Sequence, residues 1–433
     1  MTPIQIGLIG CVLLVVLLMA SMPVSFVMAV IGVAGFAWVV SPHAAFSMLA
    51  ADMYGTLSSY SLTVIPLFIF MGQVAFHAGI SRRLYDSAYN WLGPMPGGLA
   101  MATVGACTGF GAICGSGPAT AATMASVALP EMKRYGYDME LASGTVAAGG
   151  SMGMLIPPSV VFIVYGIMTE QSIGKLFMAG IMPGLLIATL FCVTIYVHCR
   201  LRPHLGPRAE GITWKMRWKS LVGVAETLIL FVVVIGGMFG GLFTPTEAAA
   251  IGAAGSLIIA LMRRRLTWAG FVKSLQETAR TSCMVMIIVV GAVVFGRFLA
   301  VTRIPYELAG WLTSLPFPPW MIIGFIILFY LVAGCFVDAL GLILLTIPVF
   351  YPVIVDLGYD LIWFGVIIVV VTQMGVISPP VGVNAYVVSG IERDIALQTV
   401  FKGVLPYLAC LILAAAILVA FPQLSLWLPS LTH

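Results

Sequence analysis

The sequence predicts an all-α polytopic membrane protein built from two inverted-topology repeats, each with a re-entrant helical hairpin and a broken transmembrane helix. Composition, an internal offset and the placement of positive charge carry that prediction. Of 433 residues, 61% are hydrophobic and 8% charged, against about 25% charged in soluble domains. Gly153-Met154-Leu155-Ile156-Pro157-Pro158 recurs as Gly375-Val376-Ile377-Ser378-Pro379-Pro380, Gly136-Tyr137-Asp138 as Gly358-Tyr359-Asp360, Leu129-Pro130 as Tyr351-Pro352, Glu170 as Glu392 and Pro23 as Pro245, always 222 positions apart. Each copy therefore interrupts an apolar stretch with Gly and Pro at the same place, a pattern of secondary transporters with a site between their halves.

The first repeat is expected over 1–200. Its scaffold helices (1–80) comprise spans near 4–21, 24–40 and 62–80. The first run has no preceding Lys or Arg and extends to about residue 20, so we expect a retained helix rather than a cleaved signal. Residues 97–134 exceed the roughly 20 residues of one span and weaken in the middle, from Gly109 to Gly117. They fit two half-helices meeting at a tip within the membrane, a form tolerated only where protein or water covers the tip. A broken helix at 139–168 and a plain helix at 175–199 complete the repeat. A polar cytoplasmic linker, 201–220, leads to the second repeat, 221–433: scaffold helices 221–301 (spans 221–241, 245–262, 281–301), hairpin 318–356, broken helix 360–390 and helix 403–425. Two amphipathic segments, 81–92 and 267–280, read as helices lying along the bilayer surface or as connecting loops. The eight cysteines lack a CxxC spacing and sit mostly in apolar runs, as packing thiols do.

Lys and Arg gather at 82–83, 133–134, 200–219, 263–265, 273–280, 393 and 402. Placing these in the cytoplasm leaves only Lys175 and Arg303 outside and Arg297 within a span, a strong positive-inside bias. The first hairpin, ending at Lys133-Arg134, then enters from the cytoplasm; the second, with no Lys or Arg, enters from outside. The halves are inverted, and both termini fall outside.

A helix resumed inside the membrane points amide N–H groups and its positive dipole end into the gap, which suits an anion; a terminated helix offers carbonyls, which suit a hard cation. The first pair of breaks joins Gly115-Ser116-Gly117-Pro118 to Gly153 through Ser159, and the second joins Asp338 through Gly341 to Gly375 through Gly382. The double prolines end helical hydrogen bonding, and Pro118 suits the first turn of a resumed helix. Asp338 falls 222 residues after Ser116, in the otherwise uncharged run Leu331 to Pro348. A carboxylate there is costly unless paired, so it is either a cation ligand or an ion-free helix cap, and Ser116 carries the same two readings. The candidate ion-binding set is Gly115, Ser116, Gly153, Ile156, Pro157, Asp338, Gly375, Ser378 and Pro379; the candidate substrate-binding set is Thr120, Pro158, Ser159, Pro380 and Asn384. Glu226 and Arg297 are expected to pair with partner chains or water, Glu247 to cap a helix, and His77 to pack at the end of a span.

The run Ala147-Ala148-Gly149-Gly150-Ser151-Met152-Gly153-Met154-Leu155-Ile156-Pro157-Pro158-Ser159, then Tyr165-Gly166 and Thr169-Glu170-Gln171-Ser172-Ile173-Gly174-Lys175-Leu176-Phe177, resembles the large membrane subunit of TRAP transporters (tripartite ATP-independent periplasmic transporters). Thr244-Pro245-Thr246-Glu247-Ala248 and Ser378-Pro379-Pro380-Val381-Gly382 extend the resemblance over essentially the whole chain. It implies an elevator-type transporter of the ion transporter superfamily, in which a mobile domain of hairpins and broken helices slides against a scaffold in the bacterial inner membrane. It implies sodium ions, two or more, as coupling ions, with no organic cofactor. It also implies an organic anion substrate (a carboxylate or sulfonate), a periplasmic substrate-binding protein, and a small four-helix membrane subunit expected as a separate chain. The family's sodium-site hydroxyl and carboxylate match Ser116 and Asp338. Each positive charge moved inward gains about 2.3 kcal/mol per 100 mV.

Three other readings stay open at this point. A stand-alone sodium- or proton-coupled anion carrier would share the fold without the binding protein. An intramembrane enzyme is disfavoured by the absence of HExxH and by histidines only at 43, 77, 198, 204 and 433, none spaced to serve Ser116. A channel is disfavoured by the paired breaks. No P-loop motif points to ATP, and the dispersed basic residues in loops do not point to nucleic acid.

Overall fold

The computed structural model describes residues 1–209 and 211–431, and every regular element among them is helical. In the first half these are α1 (Pro3–Met19), α2 (Val24–Val39), α3 (Pro42–Leu57), α4 (Val64–His77), α5 (Ile80–Leu92), α6 (Gly98–Cys114), α7 (Gly117–Arg134), α8 (Met139–Ser151), α9 (Val160–Met168) and α10 (Ile173–Leu201). The second half holds α11 (Trp214–Phe231), α12 (Gly237–Phe239), α13 (Pro245–Met262), α14 (Trp268–Thr302), α15 (Ile304–Ser314), α16 (Pro319–Gly334), α17 (Ala339–Asp356), α18 (Leu361–Ile377), α19 (Val383–Ile391), α20 (Leu397–Ala420) and α21 (Gln423–Leu426). Seven helical stretches are long and apolar enough to cross a membrane: 60–77, 173–201, 214–239, 245–262, 268–302, 339–356 and 397–420. This is a multi-pass membrane protein.

Local chemistry sets the boundaries, and it repeats. Helix α7 begins and ends 222 residues before α17. Helices α8 and α18 also start 222 residues apart, each after an aspartate whose Oδ1 accepts two backbone amides: Asp138 from Glu140 and Leu141, Asp360 from Ile362 and Trp363. Such a cap satisfies donors that the first helical turn leaves open. The breaks fall where the double prolines remove donors, and both Pro157-Pro158 and Pro379-Pro380 are cis. Thr244 and Glu247 form the expected capping box at the start of α13. His77 closes α4, 3.7 Å from Glu277 on α14.

Four expectations change. The segment 267–280 is no separate surface helix but the first third of the 35-residue α14. No Gly or Pro separates it from the span, and Ser274 and Thr278 return their hydroxyls to the carbonyls of Gly270 and Ser274 at 2.8 and 2.7 Å. At 1.5 Å per residue, α14 reaches about 52 Å and overruns the roughly 30 Å hydrocarbon core. The linker is half helical, because Thr213 caps α11 at Trp214. Helices α3 and α15 occupy stretches read as connections. Glu226 and Arg297 find partners within the chain: Arg263 grips Glu226 at 2.6–3.0 Å, and Arg297 meets Asp52 at 3.2 and 3.3 Å.

Packing forms two groups, joined where α4 meets α6 and α14 meets α17. Helices α2, α4, α13 and α14 pack on one another, as do α6–α8 and α16–α20. Basic segments assigned to the cytoplasm meet acidic and polar groups from the other half of the chain: Arg83 donates to the Gly223 carbonyl at 3.5 Å, and Lys133 to Asp394 at 2.8 Å. That ammonium holds the exposed Asp394 carboxyl below its ordinary range.

The two halves press together where α8 crosses α20. A Cβ built on Gly403 would lie 2.0 Å from the Glu140 carbonyl oxygen, and one on Gly144 would lie 2.2 Å from Gly403 backbone. Gly403→Ala should therefore lower the thermal midpoint in detergent, as overpacking of about 1–3 kcal/mol predicts. Gly390→Ala, at a site with nothing within 4 Å, should not, and intrinsic-fluorescence melting compares the two.

Candidate functional site

Two sharp turns build the hairpin tips. Gly115 ends α6 at φ 66°, a left-handed conformation suited to glycine, and Ser116 follows in extended conformation as the N-cap of α7. Asp338 takes the equivalent place before α17, and its Oδ2 accepts the Leu340 amide at 3.2 Å. The Ser116 side chain makes no such cap bond. The pair therefore differs: the carboxylate caps its helix and stays exposed to the space before it, while the half-buried hydroxyl is left uncommitted.

Both tips line one cavity of about 270 Å³. Gly115 to Ala119 form one wall and Asp338 to Leu340 another, with Met154, Val160, Val161 and Val376 from the broken helices. Gln73 of α4 and Thr281 of α14 also line it. The first-turn amides of α7 have no intrahelical acceptors and present a positive helix end, whereas at α17 the Asp338 carboxylate accepts the Leu340 amide and offsets that end's charge. No Lys, Arg or His lines the cavity among the described residues.

The first break is closely fitted under the first tip. The Val160 amide donates to the Gly115 carbonyl at 3.3 Å. A Cβ on Gly153 would come within 2.6 Å of Thr120 Oγ1 and 2.8 Å of the Ser116 carbonyl oxygen, so only glycine allows this approach. The Ser116 carbonyl accepts both the Thr120 amide and its hydroxyl, at 3.0 and 2.7 Å. Among the described residues no backbone amide donates to the carbonyls of Gly153, Ile156 or Pro157 outside regular helical bonding. The second break is more open. Ser378 donates its amide to the Gly375 carbonyl at 3.2 Å and its hydroxyl to the Met374 carbonyl at 2.6 Å, while Pro379 and Pro380 are exposed.

The expected substrate residues take other places. Thr120 is buried with its hydroxyl on Ser116. Ser159 is buried too: it caps α9 through Phe162 at 3.3 Å and donates to the Met154 carbonyl. Asn384, fully buried, donates Nδ2 to the Ala147 carbonyl at 3.0 Å. Pro158 lines a small apolar cavity with Met71 and Phe231. None of these four, nor Pro380, lines the cavity between the tips. Each polar side chain among them lies beside a backbone group with an open hydrogen-bonding valence and is drawn to it.

Two features escaped the sequence reading. Gln73 and Thr281 complete the cavity from outside the repeats' broken segments. Gln373, a lone amide in the apolar run of α18, donates to the Ser151 carbonyl at 3.0 Å, and the two residues are separated by the repeat offset of 222. The broken helices thus touch at equivalent points.

This architecture is that of a membrane transporter. The chain aligns with the Alcanivorax borkumensis YdaH transporter at a TM-score of 0.59 and 15% identity, covering 88% of this chain and 87% of that one. It also aligns with Neisseria gonorrhoeae MtrF at 0.52 and 13%, covering 87% and 83%. At such identities the likeness concerns fold alone. Residues 11–424 match the family described as tripartite ATP-independent periplasmic transporter, DctM component, and the chain belongs to that family. It is 38% identical over 386 residues to the C4-dicarboxylate TRAP transporter large permease protein DctM of Pseudomonas aeruginosa, covering 88% of this chain and 89% of that protein. It is 34% identical over 417 residues to the sialic acid TRAP transporter large permease protein SiaM of Vibrio cholerae, covering 96% of each. To the isethionate TRAP transporter permease protein DctMQ of Oleidesulfovibrio alaskensis it is 35% identical over 387 residues, covering 88% of this chain and 60% of that protein. The chain is a TRAP transporter large permease, not an enzyme.

The placement of the two serines is testable by labelling. In a cysteine-free background, Ser116→Cys should react with a water-soluble methanethiosulfonate and Ser159→Cys should not. Mass shift of the purified protein reports the difference.

Proposed function

We propose that this permease imports an organic acid anion, a carboxylate or sulfonate, across the inner membrane by sodium-coupled elevator motion, receiving it from a periplasmic binding protein. The observation that carries the reading is the single cavity shared by both hairpin tips and faced by α4 and α14. The N-terminus of α7, and that of α17 once a cation offsets the Asp338 charge, supply the anion's attraction. Sodium ions sit behind the tips. One is held by the Ser116 hydroxyl with the carbonyls of Gly115, Gly153, Ile156 and Pro157. Another is held by Asp338 with the carbonyls of Gly375, Ser378 and Pro379. Oxygen donors of this kind suit a hard cation, and a bound cation offsets the Asp338 charge. Two or more sodium ions with one monoanion carry net positive charge inward, down the membrane potential.

Several observations support the finer parts of this reading. The hairpins and broken helices pack mostly on one another, as α2, α4, α13 and α14 do, with α4 on α6 and α14 on α17 as the junctions between the groups, an arrangement that suits a sliding domain against a fixed frame. In this reading the halves are inverted, which would set the two tips against each other at mid-membrane. The relatives named above for C4-dicarboxylate, sialic acid and isethionate are all permeases for acids. The family description is tripartite, in keeping with a small four-helix subunit and a binding protein as partners. Exposed apolar residues on α1 and α3, such as Leu8, Val12, Phe46 and Tyr54, suit lipid or that subunit.

Reconstitution into liposomes with the small subunit and binding protein encoded beside this chain tests the proposal. Uptake of the binding protein's ligand should require an inward sodium gradient and collapse when choline replaces sodium. Uptake of equal rate without the binding protein would favour the stand-alone carrier. Asp338→Ala should abolish sodium-driven uptake, a loss beyond about a hundredfold, with membrane insertion and assembly intact by gel filtration. Normal sodium-dependent uptake by that variant would remove Asp338 from the mechanism.

A further inference from the structure

We infer that Gln73 and Thr281 are specificity-determining residues: they hydrogen-bond a neutral oxygen, hydroxyl or carbonyl, on the carried acid, and so select oxygenated organic acids over their deoxy analogues. The inference rests on the function proposed above and adds a substrate class to the same cavity.

Three observations carry it. First, both residues line the same cavity as the hairpin tips, and neither belongs to a hairpin or a broken helix. Second, both are half-buried and without a hydrogen-bond partner among the described residues. That separates Thr281 from its neighbours on α14, where Ser274 and Thr278 return their hydroxyls to helix carbonyls at 2.8 and 2.7 Å. Gln73 engages only through its backbone carbonyl, which Ser274 Oγ approaches at 3.4 Å. A primary amide in an apolar membrane helix is unfavourable unless something meets it. Third, the remaining lining divides the labour. The tips contribute helix N-termini, Ser116 and Asp338, which suit charge. The other residues of α4 and α14 that line the cavity are apolar (Ile69, Met284, Val285). An amide and a hydroxyl there both donate and accept, so they match a neutral oxygen, not a second acidic group.

A site built to hydrogen-bond a substrate oxygen discriminates against an analogue without it, because its own polar groups are then left unmatched. Binding to the purified complex of this chain with its small subunit measures this without the binding protein's selectivity. Thermal-shift titrations in sodium chloride use three pairs differing by one hydroxyl: L-malate with succinate, L-lactate with propionate, isethionate with ethanesulfonate. The wild type should bind one oxygenated acid more tightly than its partner, by about fivefold or more, roughly the worth of one neutral hydrogen bond. Gln73→Leu and Thr281→Val should each bring that ratio towards one, with the sodium concentration for half-maximal stabilisation unmoved. Thr281→Ser, which keeps the hydroxyl, should retain the ratio. An unchanged ratio in both apolar variants, or equal losses for both members of a pair, overturns the inference and leaves the proposed function standing. Failure of every acid to stabilise the complex in sodium, with none in potassium, removes the proposed function and this inference with it.

Discussion

Every backbone polar group within a bilayer must find a partner, and this fold is organised around the few places where the chain gives one up. A continuous helix satisfies itself. The double prolines at 157–158 and 379–380 and the hairpin turns at Gly115 and Asp338 do not, so they must be covered by protein or by a solvated cavity. The covering explains the glycines. Gly153 lets the first break reach the Ser116 carbonyl, and Gly375 lets α18 approach Gly334 backbone, where a Cβ would stand 2.4 Å away. The same close fit concentrates unpaired carbonyls and helix ends in one small region.

The repeat is symmetrical in backbone and asymmetrical in chemistry. Helices start and stop at the same offset, yet Ser116 is matched by Asp338, Thr120 by Leu342 and Ser159 by Val381. The first break is wholly buried, whereas Pro379, Pro380 and Val381 are exposed. One half thus holds a neutral, enclosed set of donors and the other a charged set nearer the surface. A cation bound at the second set is attracted by a full carboxylate charge, while one at the first relies on carbonyl dipoles. On the proposed function, the two cation sites therefore need not share affinity or order of filling.

Much of the architecture was legible because the membrane enforces strong punctuation. Length and a weak centre revealed both hairpins, and Gly/Pro runs revealed both broken helices to within a few residues. The misses have local causes. Helix α3 carries His43, Ser47 and Asp52 and falls between the assigned spans, although Ser41-Pro42 is a sound helix start and Ser41 does accept the Ala44 amide at 3.2 Å. The segment 267–280 is amphipathic, but amphipathicity does not say whether a helix ends; the lack of a breaker between Arg280 and Thr281 does.

The site itself was legible only along the chain, not across it. Ser116 and Asp338 follow from the offset, since both stand at a tip that the sequence announces. Their companions at Thr120, Ser159 and Asn384 were chosen for closeness to a break. Each of these side chains is instead committed to a backbone carbonyl: Thr120 to Ser116, Ser159 to Met154, and Asn384 to Ala147. An intact helix does not by itself leave a side chain free, since Ser274 and Thr278 on α14 return their hydroxyls to its carbonyls. Gln73 and Thr281 differ because each lines the cavity between the tips and makes no side-chain hydrogen bond among the described residues. Neither position is marked along the chain by a break, so only the packing of α4 and α14 against the tips brings them to the site.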